Sequence, residues 1–352
     1  LVPLYTAVLS TQEYGTADLV ATSVNLIIPL TTCLIYESTL RFALDKSEDR
    51  RQLFSIGFWL TNLGSLAIII LAQFLRLTPV FSDYVSLFIL YYISLVFFNL
   101  VMQYVKGIEK VRVYAVAGVL NTFVYIFSNI VLLLLLRVGV KGYLLAFVIG
   151  HTVSAMYALW FSRAYRDLIS WKKIRREKVV EMLKYSIPMI PNAVSWWISN
   201  SSDKYILLLF WGTAVNGLYS VAYKIPSILT MVINIFIGAW QISAVDEFGS
   251  EVSRKFYSDI YRKYEALLFT GGAILILGTK ILASFLFSDD FFQAWMYTPV
   301  LILASVFNSM AAFVGSIYTS AKKTSMLFLS TLVAAFVNII LNFLLIPEFS
   351  GM

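Results

Sequence analysis

Apolar residues run along this chain in long blocks separated by short polar ones. A membrane-crossing helix needs about 20 such residues, and blocks of that order lie at 14–36, 53–75, 84–105, 113–136, 142–162, 184–211, 216–244, 266–287, 294–320 and 324–346. They predict ten full spans after a partial first one at 1–10, and with them an all-α polytopic membrane protein. Pro29, Pro188, Pro191 and Pro226 fall inside these blocks. Neighbouring helices satisfy the carbonyls that proline frees, so kinks and not breaks are expected there. The blocks on either side of the short turn near Gly212 to Gly217 carry Asp203, Lys204 and Lys224. A charge at the centre of a membrane helix costs roughly 2.5–3.5 kcal/mol even on the lenient insertion scale. This hairpin is therefore the first place to look for function.

The polar connections alternate in charge. With 1–10 taken as the first span, 21 of the 27 Lys and Arg residues fall at the alternate connections 37–52, 106–112, 163–184, 245–265 and 321–323. Only Arg76, Arg137, Lys141 and Lys280 fall in the others, while Lys204 and Lys224 lie within spans. Basic loops stay in the cytoplasm, so these connections are expected there and the protein in the cytoplasmic membrane. Composition agrees: 59% of residues are hydrophobic and 13% charged, and the mean hydropathy is +0.79, whereas soluble domains are about 45–50% apolar. The formal charge of +7 is then topology, with membrane lipids and not nucleic acid as its partner. One cysteine and one histidine exclude a disulfide framework and a thiolate or imidazole metal cage. No metal or other cofactor is expected, and the apolar start LVPLYTAVL lacks the charged flank of a signal peptide.

The longest basic connection, RAYRDLISWKKIRREKVVEMLKYS, follows the sixth span and divides the chain into a lobe at 1–162, a linker at 163–184 and a second lobe at 185–352. A repeat supports the two lobes. Aligning Gly15 with Gly217, an offset of 202, also matches Thr11 with Thr213. The offset places Asp18, Thr22, Asn25, Pro29 and Thr32 on Ser220, Lys224, Ser227, Met231 and Asn234. Both sets step by four and three, which makes one stripe along a helix. Parallel repeats with a site between them near the midplane are a frequent transporter plan.

Three pieces carry a family resemblance: LVPLYTAVLSTQEYGTADLV at the start, SIPMIPNAVSWWISNSSDKYILLLF in the seventh span and NGLYSVAYKIPSIL in the eighth. In their order and spacing the chain resembles the oligosaccharide flippases of polysaccharide biosynthesis, within the multidrug/oligosaccharidyl-lipid/polysaccharide exporter superfamily. The resemblance implies twelve or more spans in two six-helix lobes and alternating access. It also implies movement of a lipid-linked glycan from the cytoplasmic to the outer leaflet. By the same resemblance, the front of the first span and at least one span beyond LIPEFSGM would complete the fold.

Candidate site residues follow from the polar stripes. On the seventh span Asn192, Trp196, Ser199, Asn200 and Asp203 recur at three- and four-residue steps. Such a face either lines a hydrated path, with Trp196 as a stacking surface for sugars, or glues helices together; the charge of Asp203 favours the path. Lys224 extends the stripe of Ser220, Ser227 and Asn234 and lies deep for snorkelling. A turn centred between Thr213 and Ala214 sets Asp203 level with Lys224 as an ion pair, so that Lys204 supplies one net positive charge suited to a pyrophosphate. His151, mid-way along the sixth span, and Asp203 are the candidates for coupling to a cation; neutral packing is the ordinary alternative for the histidine. Asp18 and Asn25 enter from the second span, Asp18 also being readable as an interfacial carboxylate. Three functions compete: a flippase for a polyprenyl-pyrophosphate-linked oligosaccharide, a cation-coupled multidrug exporter of the same superfamily, and a membrane glycan polymerase or glycosyltransferase. Short external loops, with no DxD, paired-carboxylate or nucleophile–histidine constellation, argue against an enzyme.

Overall fold

The computed structural model describes residues 1–246, 253–320 and 324–349, and every regular element among them is helical. Helix α1 (Val2–Val8) leads into α2 (Thr11–Thr32) through a reciprocal cap. Glu13 accepts from the Ser10 N–H at 2.9 Å, and Ser10 Oγ accepts from the Glu13 N–H at 3.2 Å, so two otherwise orphaned amides are satisfied. Helix α2 runs through Pro29 and ends at Cys33 and Leu34, both at positive φ, from which α3 (Ile35–Ala43) leaves at 65°. There follow α4 (Arg50–Leu71), α5 (Val85–Gly107), α6 (Val111–Asn129), α7 (Val140–Ser162), α8 (Arg176–Ser186), α9 (Ile190–Ala222), α10 (Lys224–Asp246), α11 (Ser253–Leu286), α12 (Thr298–Ser320) and α13 (Thr324–Phe349).

Among the described residues eight helical stretches are long and apolar enough to cross a membrane, nine when α2 and α3 count as one bent span. The ten-span expectation differs at the eighth span, where a break at Tyr223 divides the predicted block at 216–244 between the end of α9 and α10. Proline explains much of this. Pro226 lies in the first turn of α10, Pro191 in the first turn of α9, and Pro188 in a 3-10 turn between α8 and α9. Lacking an N–H, proline suits a helix start, so at these positions the expected kinks are helix beginnings, while Pro29 stays inside α2. Of the basic connections, 321–323 and residues 247–252 lie outside the described residues.

Packing forms two units, Leu1–Gly15 with Ser202–Met352, and Thr16–Ser201. In the first, Trp240 of α10, Tyr264 of α11 and Phe313 of α12 stack at centroid distances of 4.6 and 5.2 Å, and Trp240 donates to Ser316 Oγ at 2.8 Å. In the same unit α2 meets the second arm of α9 backbone to backbone. A Cβ on Gly15 would overlap the Thr213 carbonyl and lie 2.8 Å from the Gly217 nitrogen, and a Cβ on Gly217 would overlap the Thr11 carbonyl. The contact is reciprocal, and no side chain fits between the helices.

The second unit buries Leu53, Phe54 and Ile56 of α4 against Val101, Tyr104 and Val105 of α5, Ala158 of α7 and Met182 of α8. The linker ahead of α8 is fastened to one face of α4. Gln52 donates to the Lys173 carbonyl and accepts from the Arg175 N–H, both at 2.9 Å. Ser55 donates to the Asp167 carbonyl at 3.1 Å and accepts from the Ile169 N–H at 2.8 Å, and Trp59 donates to the Ile169 carbonyl at 3.1 Å. Tyr104 donates to the Asp167 carboxylate at 2.7 Å, and Ser38 to the Met182 carbonyl at 2.6 Å. An irregular segment has no helix to satisfy its amides and carbonyls; here side chains supply the partners. Gln52→Ala removes two hydrogen bonds worth about 0.5–1.5 kcal/mol each. A lower thermal midpoint, with faster proteolysis at 163–175, is the expected result.

Candidate functional site

Gly212, at φ 79° and ψ −176°, splits α9 into two arms. Only glycine takes this conformation readily. Tyr219 donates its phenolic hydrogen to Asp203 Oδ2. Sixteen residues would lie about 24 Å apart along a straight helix, so the arms fold back on each other. The turn thus sits at Gly212 and not between Thr213 and Ala214, and Tyr219 is brought to Asp203 across it. The second carboxylate oxygen of Asp203 accepts from the Lys204 N–H at 2.9 Å, and the Tyr223 ring lies near enough to feel the charges of both Asp203 and Lys204.

Asp203 and Tyr219 line a largely apolar cavity of about 510 Å³ together with Met296, Tyr297, Asn342 and Leu345. Beside it, Asn338 Oδ1 accepts from Ser202 Oγ at 3.0 Å and from Asn342 Nδ2 at 3.1 Å. Sequence reasoning missed Tyr219, Tyr297, Asn338 and Asn342. The two asparagines had a readable signal, a four-residue step within an apolar run; the tyrosines did not stand out among so many aromatics.

Lys204 and Lys224 are both half-buried. Along the predicted stripe burial changes at the break: Ser220 is buried, whereas Ser227, Met231 and Asn234 of α10 are exposed. These three, with Thr230 and Ile235, line an open cleft of about 520 Å³.

In the second unit Asn25 and Asn200 are exposed, with Nδ2 groups donating to the Ala21 carbonyl at 3.2 Å and the Trp196 carbonyl at 2.7 Å. Trp196 is 43% exposed, while its neighbour Trp197 donates to the Thr22 carbonyl at 3.0 Å. Asp18 is 8% exposed and near enough to Tyr91 to act on it electrostatically. His151 is buried with its ring stacked on Tyr91 at 5.8 Å and Phe98 at 5.1 Å, a setting that suits the neutral imidazole. The candidates therefore fall in both units: Asp203, Lys204, Ser220 and Lys224 in one, Asp18, Asn25, His151, Trp196 and Asn200 in the other.

The profile of the polysaccharide biosynthesis protein family matches residues 1–241. No curated protein matches the chain. Among solved structures, the inward-facing conformation of a multidrug resistance MATE family transporter of the MOP superfamily superposes with a TM-score of 0.64 at 14% identity, over 97% of this chain and 94% of that one. An outward-facing conformation of such a transporter gives 0.61 at 15%, over 97% and 89%. A MOP superfamily transporter from Pyrococcus furiosus, reported for the reverse polarity of its binding pocket, gives 0.56 at 13%, over 95% and 86%. At these identities the likeness speaks for the fold. This multi-pass membrane protein, built on the fold of the MOP transporters, belongs to the polysaccharide biosynthesis protein family.

Proposed function

We propose that the protein is a flippase that carries a polyprenyl-pyrophosphate-linked oligosaccharide across the cytoplasmic membrane by alternating access, for surface polysaccharide biosynthesis. The observation that carries this reading is the cleft along α10, where Ser227, Thr230 and Asn234 present uncharged hydrogen-bonding groups beside the apolar Met231 and Ile235. Hydroxyl and amide groups suit sugar hydroxyls, and the cations of Lys204 and Lys224 suit a pyrophosphate. Residues 1–162 and 185–352 act as lobes. The reciprocal contact of Gly15 and Gly217 supports their relation as parallel repeats, since contacts of this mutual kind arise about a two-fold axis. Asp203 and His151 are the candidates for a coupling cation. No catalytic role is assigned.

A second reading, a cation-coupled multidrug exporter, draws on the other cavity, where one carboxylate sits among tyrosine and aliphatic side chains. Such a lining suits a lipophilic cation. Reconstitution in vesicles separates the two. Flipping of a defined lipid-linked oligosaccharide, without uptake of tetraphenylphosphonium, is the expected result; uptake of the cation alone would reverse the assignment.

In this reading the basic connections face the cytoplasm. With Cys33 replaced, Ser47→Cys and Ser170→Cys, both at exposed positions, should resist impermeant maleimide added to intact cells and react in inside-out vesicles. Ready labelling from outside would invert the topology.

A further inference from the structure

We propose that the linker between α7 and α8 is a fixed docking surface for the headgroups of anionic phospholipids. Residues 163–184 hold eight Lys and Arg against three Asp and Glu. Two of the acids are already engaged, Asp167 by Tyr104 and Glu181 by Lys178. Lys178 also bonds Glu48, and among the described residues it is the one linker cation with a carboxylate in ion-pair range. Arg163, Arg166, Lys172, Lys173, Arg175 and Arg176 are exposed and have none.

A loose basic loop attracts anions diffusely. This one is pinned at Asp167, Ile169, Lys173 and Arg175 by the α4 side chains Gln52, Ser55 and Trp59, so its six cations keep one arrangement. The depth of that arrangement is marked by aromatics. Trp171 and Tyr165 are exposed, Trp160 stacks on Tyr165 at 5.7 Å, and the Arg166 guanidinium lies 5.8 Å from the Tyr165 ring centre. Tryptophan and tyrosine of this kind settle at headgroup level beside the ends of membrane helices, where juxtamembrane cations recruit anionic lipid. A soluble polyanion would gain nothing from that aromatic rim, which is why a phospholipid is the better fit.

The full chain, reconstituted in phosphatidylcholine vesicles, should be tested with trace spin-labelled phosphatidylglycerol and spin-labelled phosphatidylcholine. The motionally restricted fraction reads the lipid in contact with protein. At low salt the wild type should prefer phosphatidylglycerol severalfold. Changing the six cations to glutamine should remove most of that preference, and a variant carrying Arg163→Lys, Arg166→Lys, Arg175→Lys and Arg176→Lys should keep it. An equal preference in the wild type and the glutamine variant would overturn the proposal. Should the glutamine variant not fold, salt decides on the wild type alone: at about 1 M, where the screening length is about 3 Å, the preference should vanish, and its survival would count against the surface. Loss of the preference with millimolar inorganic pyrophosphate, at matched ionic strength, would assign the cations to soluble phosphates and also overturn the proposal.

Discussion

Gly15→Ala and Gly217→Ala should each destabilise the protein, while Gly118→Ala should stabilise it. Alanine is the better helix former by about 0.5–1 kcal/mol, so in an open helix the exchange helps. Position 118 is open, with nothing within 4 Å of an added Cβ. At positions 15 and 217 the same carbon meets the carbonyls of Thr213 and Thr11, which are backbone and cannot rotate aside. Overpacking of this kind costs typically about 1–3 kcal/mol and sometimes more, enough to reverse the sign. Both substitutions push apart the same two helices, so the double variant should lose less than the two single losses added together. Thermal midpoints in detergent, followed by size exclusion, read all four proteins. A stabilised Gly217→Ala would mean that the close crossing does not exist in the membrane.

Lys204→Ala should lower glycolipid transport on the order of ten- to a hundredfold, with the protein inserted at normal level. A hydrogen bond to a charged group contributes about 1.5–3 kcal/mol, and each 1.4 kcal/mol is tenfold. Lys204→Arg keeps the charge and should retain most of the transport. Two cycles then identify what Asp203 serves. Asp203→Ala leaves the Tyr219 hydroxyl facing an apolar cavity without this acceptor, so adding Tyr219→Phe should recover part of the loss. Adding Lys224→Ala in its place recovers more if Lys224 carries the compensating charge, as expected from the sequence. Transport by vesicles containing each variant decides between them, and unimpaired flipping by Lys204→Ala would remove the pyrophosphate reading.

The helical, membrane-spanning character was legible because it rests on residue type alone: twenty apolar residues in a row have few other uses. The family was legible in three short pieces for a similar reason. The site was legible only as a neighbourhood. Asp203, Lys204 and Lys224 stood out by charge, but their level depends on where the chain turns, and both Gly212 and Gly217 offered a place for that turn. The break at Tyr223 hid behind an unbroken apolar run, and nothing in that run told that Ser220 is buried and Ser227 exposed. The fastening of the linker left no trace at all, because Gln52 and Arg175 are 123 residues apart and neither forms a local pattern.

Thr6 shows what such separations mean while the chain is being made. Its hydroxyl donates to the Leu286 carbonyl at 3.2 Å and accepts from the Ser288 N–H at 3.2 Å, and Ser288 bonds back to the Thr6 carbonyl. Ribosomes add about 5–20 residues per second, so these partners follow Thr6 by about 15 to 60 s. Over that interval α1 must wait in the bilayer or the insertion machinery for the partners that come only with the end of α11.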